Sequence, residues 1–132
     1  MNDINLPAVL AGAAAFFIVG ALWYGVIFSK AWQKAAGMSD EAVQSGNMAV
    51  IFGLTFAFEV LIAMVLWHLI ARTGAAPHVV MMMAIGFAVG IMIPAIGINY
   101  LYLRKSFTHF AIDAGHFIFG MAAMGGTFLL FL

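Results

Sequence analysis

Four long apolar runs separated by short polar breaks set the plan of the chain. They cover roughly residues 6–28, 48–71, 77–103 and 108–131. Crossing the hydrocarbon core of a bilayer takes about 20 residues of helix, so each run is long enough to span. The pattern predicts an all-α integral membrane domain over residues 1–132, with four transmembrane helices arranged as two hairpins. Local chemistry marks the ends. Pro7 suits a first helical turn. Ser39-Asp40-Glu41 reads as an N-cap followed by acids in the first turn, which predicts a short interfacial helix at about 39–46. Gly46 and Asn47 restart the chain, Arg72-Thr73-Gly74 closes the second long helix, and Pro77 opens the third. Arg104 and Lys105 make the last turn, and Ser106 or Thr108 caps the fourth helix.

Composition narrows the picture. The chain is 66% hydrophobic and 8% charged, against about 45–50% and 25% in soluble domains, and the four spans leave no room for a soluble domain. Net charge is zero, which argues against nucleic acid, since that partner wants a basic stripe. The absence of cysteine excludes disulfides, thiolate zinc sites and thiol catalysis. The N-terminus lacks a basic n-region and its early charge is Asp3, so the first run is expected to be a retained helix and not a signal peptide. Four basic residues, Lys30, Lys34, Arg104 and Lys105, sit in the first and last links, against Arg72 on the opposite side. The positive-inside rule then puts those links in the cytoplasm and both termini outside.

Few polar groups interrupt the helices, and an ionisable one at membrane depth costs about 2.5–3.5 kcal/mol on insertion scales unless it is paired or hydrated. His109, Asp113 and His116 follow at steps of four and three residues, which returns them to nearly one helix face. Glu59 falls near the middle of the second helix, with Thr55 one turn before it and His68 about half a rotation away. Asn99 and Tyr24 lie at depths compatible with Asp113. Glu59, Asp113, His116, Asn99 and Tyr24 therefore form the candidate buried polar or proton-titrating set. Tyr24 reads either as part of an interfacial belt with Trp23, Lys30 and Trp32, or as a hydroxyl donor to a buried carboxylate. Asp113 is expected to pair with His116.

Small residues mark where helices can approach. Gly12 lies in the thin stretch 11–15, and Gly86 and Gly90 form a GxxxG pair whose face Pro94 continues, with a possible kink. Metal is not expected; His109, Asp113 and His116 are weak candidate ligands, with His109 near the headgroups. Met64, His68, His78, Met81 and Met82 have ligand types suited to Cu(I), but methionine is also an ordinary gap-filler. No nucleophile elbow, phosphate loop or paired-His motif points to an enzyme, and no cofactor is expected.

Gly20-Ala21-Leu22-Trp23-Tyr24-Gly25, then Phe28-Ser29-Lys30 and Trp32, resembles the opening of a bacterial membrane family known as domain of unknown function 1761. Asn99 with Arg104, and Ile112-Asp113-Ala114-Gly115-His116, resemble its later motifs, while Glu59 falls outside them. The resemblance implies a small four-helix protein of the inner membrane and carries no activity with it. A faint echo joins the two halves: Leu22-Trp23-Tyr24 and Ile98-Asn99-Tyr100 both precede a basic turn. One such bundle is too thin to enclose a pore. The chain is expected to work in the lipid as a homo-oligomeric, proton-linked transporter or channel, or else as a non-catalytic subunit of a larger membrane complex.

Overall fold

Asn5, Ser39, Asn47 and Ser106 each open a helix in the same way. Their side-chain oxygens accept the N–H three residues on, at Ala8, Ala42, Val50 and His109, over 3.1–3.2 Å. Each bond satisfies one of the N–H groups that a helix start leaves unpaired. The computed structural model describes residues 4–132, so Asp3 lies outside the described residues. In chain order the helices are α1 (Leu6–Leu22), α2 (Ser29–Ala36), α3 (Asp40–Ser45), α4 (Met48–Thr73), α5 (Pro77–Phe87), α6 (Ile93–Tyr102) and α7 (Phe107–Leu129). A π-helical turn, Trp23–Ile27, extends α1, and a second, Ala88–Met92, joins α5 to α6. No strand occurs among the described residues.

The second wide turn has a local cause. Pro94 lacks an N–H and its ring crowds the carbonyl four residues back, at Gly90. Loosening the ladder by one residue relieves both problems, and the helix continues past the proline. The link between α1 and α4 holds two short helices where the sequence suggested one. Phe28, at φ −116° and ψ 17°, interrupts the first run. Ser29–Ala36 then folds as α2 and is closed by Gly37 in the left-handed region at φ 70°. Gln33 Nε2 donates to Asp40 at 2.7 Å and ties α2 to α3.

Three helical stretches, Leu6–Ile27, Met48–Thr73 and Pro77–Tyr102, are long and apolar enough to cross a membrane. The long helix α7 lies between them. It runs antiparallel to α1, with Tyr24 beside Asp113 at one end and Gly12 against Phe128 at the other. It also runs antiparallel to α5 and α6, with Gly125 against Ala84 and Phe110 against Gly97. The helix α4 packs mainly on α1. Phe16, Leu66, Ile70, Val80, Met121, Met124 and Phe128 are fully or almost fully buried and form the core at the end of the bundle near the α4–α5 link. In lipid, helix association rests on close van der Waals fit, because the tails are as apolar as the side chains. Glycine provides that fit along α7. Gly115 takes the Trp23 ring, Gly120 takes Phe16, and Gly125 takes Ala84.

Within the chain, the face of α5 and α6 expected to pack makes no close helix contact. Gly12 sits in a close contact, against Phe128 and Met124, but Gly86 and Gly90 meet no atom within 4 Å, and Pro94 is exposed. The helix α7 packs on the other side of α5, through Ala84 and Ala88, and turns the GxxxG pair outward. The first half of α4 is also uncovered. Between residues 48 and 58 only Phe56 is even half-buried.

Candidate functional site

Asp113 is the centre of the site, and α7 carries it between α1 and α6. The carboxylate is 7% exposed. Tyr24 donates its hydroxyl to Oδ1 at 2.5 Å, and Tyr100 donates to Oδ2. His109, one helical turn earlier and 6% exposed, places Nε2 3.3 Å from Oδ2. This pair becomes ionic when the imidazole carries its second proton. Each carboxylate oxygen thus has a hydroxyl donor from a different helix.

Tyr24 follows Gly12, Phe16 and Gly20 at steps of four residues, so the face of α1 that meets α7 continues into the wide turn Trp23–Ile27. Consecutive side chains there stand astride α7. Trp23 Nε1 donates to the Ile112 carbonyl at 2.9 Å and its ring rests on Gly115, while Tyr24 reaches Asp113. The short helix α2 closes the site from the basic-turn side. Trp32 meets the His109 ring edge-on at 6.0 Å and the Tyr24 ring at 5.7 Å. Tyr100 packs on His109 at 5.1 Å.

His116 makes no hydrogen bond to Asp113, the contact the sequence suggested, although the two are near enough to interact through charge. Its ring lies against Phe16, Tyr24 and Phe117, at centroid distances of 5.3, 4.9 and 5.2 Å. Its Nε2 sits over Gly20, 3.0 Å from where a Cβ would stand. The Tyr24 ring therefore connects His116 to Asp113 without a direct hydrogen bond between the two. Asn99 is exposed on the outer side of α6 and contributes nothing to the carboxylate. The neighbouring Tyr100 does so instead, because one step along a helix turns the side chain by about 100°. Tyr100, Trp32 and His109 are the members that the reading by residue type passed over or discounted. The signal for Tyr100 was present in the echo of Trp23-Tyr24 and Asn99-Tyr100 before the two basic turns. Its two tyrosines supply the two donors.

Glu59 is buried, 4% exposed, and stands apart from Asp113. Phe17 packs on Phe52 and Phe56, and Val9 shares a groove wall with Trp67 and His68. Glu59 therefore lies beside the middle of α1, roughly 10 to 15 Å from the level of Tyr24 at 1.5 Å per residue. The expected single cluster is in fact two sites at different levels, with His116 between them in height. Three buried atoms have no hydrogen-bond partner among the described residues: His109 Nδ1, His116 Nε2 and Glu59 Oε1. Among the described residues no three His, Asp or Glu side chains converge as a metal site requires, so His109, Asp113 and His116 do not form one ligand set. Met64 and His68 border a groove with Val9 and Trp67, while His78, Met81 and Met82, the other groups considered for copper, do not line it.

No curated protein and no solved structure matches the chain. A family match covers residues 7–129, nearly the whole length, and takes in Tyr24, Tyr100, His109 and Asp113 together. The chain belongs to the family described as protein of unknown function (DUF1761).

Proposed function

We propose that the chain is a four-span protein of the bacterial inner membrane that works as a homo-oligomeric, proton-linked transporter or channel. What supports a fourth span is α7 itself. Its 23 residues rise about 35 Å, and it lies alongside α1 over most of that length. Its ionisable groups are turned toward protein, and beyond the first turn its exposed positions, Ala111 and Phe119, are apolar. In this reading the basic links, with α2, α3 and the α6–α7 turn, lie on the cytoplasmic side and both termini lie outside, as the positive-inside rule favours. A C-terminal reporter active only in the cytoplasm is expected to stay silent. A cytoplasmic signal would reverse the orientation.

One observation carries the transport reading. The protonatable groups His109, Asp113, His116 and Glu59 stand at successive levels of the bundle, and among the described residues three of their buried atoms lack a partner. A network serving only to hold helices in register satisfies its members, because an orphaned buried polar atom costs about 1–3 kcal/mol. Carboxylate and imidazole chains that stay partly unsatisfied suit proton relay. In this reading Asp113 holds and releases the proton, Tyr24 and Tyr100 stabilise its ionised form, and His116 and Glu59 continue the path. Vesicles containing the purified protein and a trapped pH dye test it under an imposed proton gradient. The expected dissipation is at least tenfold faster than in protein-free vesicles, and Asp113→Asn returns it to within twofold of them. If wild type equals protein-free vesicles, or Asp113→Asn equals wild type, the reading fails.

The uncovered first half of α4 supports the second reading, an accessory subunit of a larger complex. A helix with no buried face over residues 48–55 has room for a protein neighbour. Loss of the flux result would leave that reading in place.

A further inference from the structure

We propose that the cleft between α6 and the start of α7 binds an anionic glycerophospholipid, with an acyl chain in the cleft and the phosphate at Lys105. The cleft holds about 480 Å³, within the range of roughly 300–1,000 Å³ usual for small-molecule sites. Gly97 and Phe110 form its floor. The missing side chain at Gly97 lets the Phe110 ring lie close to α6, since a Cβ there would stand 3.2 Å from Phe110 Cε1. Ile98 and Leu101 line the wall and are 56% and 79% exposed. These surfaces are apolar and open sideways from the bundle, the direction from which a lipid tail arrives.

The rim has the opposite character. Lys105 and Ser106 line it, and Arg104 precedes them in the same turn. Among the described residues no carboxylate pairs with Lys105. Ser106 caps α7, so the positive end of a 23-residue helix lies beside the ammonium. An apolar cleft with a cationic rim is complementary to a molecule with an apolar tail and an anionic head. Basic pockets between membrane helices recognise such lipids. Tyr100 also lines the cleft, and its hydroxyl donates to Asp113. The lipid would therefore stand one side chain away from the carboxylate. This inference needs only that the chain lies in a membrane, and it holds whether or not protons move.

Native mass spectrometry of the full chain in mild detergent tests it, with added dioleoylphosphatidylglycerol or dioleoylphosphatidylcholine. The expected preference for the anionic lipid is at least fivefold, about the factor that one basic residue contributes near an anionic surface. Lys105→Gln should bring the two lipids to within twofold. Ile98→Trp and Leu101→Trp, both at exposed wall positions, should reduce binding of the anionic lipid at least fivefold while thermal melting stays unchanged. Inorganic phosphate at millimolar concentration should not displace the lipid. Equal retention of the two lipids by wild type, an unchanged preference in Lys105→Gln, undiminished binding in a folded tryptophan variant, or displacement by free phosphate each overturns the proposal.

Discussion

Asp113→Ala is expected to destabilise the chain by about 3 kcal/mol or more, because it strands three donors at about 1 kcal/mol or more each. The substitution leaves the Tyr24 and Tyr100 hydroxyls and His109 Nε2 without their acceptor. An unsatisfied buried donor costs about 1–3 kcal/mol. Interhelical hydrogen bonds in membranes average nearer 0.6 kcal/mol when measured pairwise, so Tyr24→Phe or Tyr100→Phe should each cost only about 1 kcal/mol. The contrast is the test, because Asp113 ties α1, α6 and α7 together while each tyrosine ties only two of them. Equilibrium unfolding in mixed detergent micelles would measure all three variants. If Asp113→Ala costs no more than either tyrosine change, Asp113 is not the hub of the half of the bundle near the α6–α7 turn.

Gly120→Val should be about as damaging, for steric reasons. A Cβ at Gly120 would stand 2.6–2.8 Å from three atoms of the Phe16 ring. Phe16 is 1% exposed and has nowhere to swing, because His116 and Phe117 flank it. Overpacking of this kind costs about 1–3 kcal/mol, and more where backbones must part. Gly90→Leu is the matched control. Gly90 has open space around it, so the leucine should change monomer stability by less than about 0.5 kcal/mol. Any effect it has should appear in oligomer size. A Gly120→Val protein that melts with wild type, or a Gly90→Leu monomer that does not, would contradict this packing.

By itself the sequence determined the all-helical architecture, the antiparallel order, most helix boundaries and the caps. Those features rest on local chemistry and on apolar runs of spanning length. Asn47 and Ser106 cap whatever helix follows them, and an apolar run of more than 20 residues has few other solutions. The sequence also marked Asp113 as a group needing partners, because its cost at membrane depth does not depend on the neighbours. Only the tertiary structure decided who those partners are. Helical periodicity tells which side chains share a face but not which neighbour that face meets. In a membrane helix the outer face is as apolar as the inner one, so hydrophobicity does not reveal the azimuth. That is why Gly86 and Gly90 read as a packing face and lie outward, while Gly115, Gly120 and Gly125 carry the close contacts. The two π-helical turns add a phase shift that a regular 3.6-residue count does not contain. Tyr24, one turn beyond Gly20, meets Asp113, and along α6 the register selects Tyr100 over Asn99.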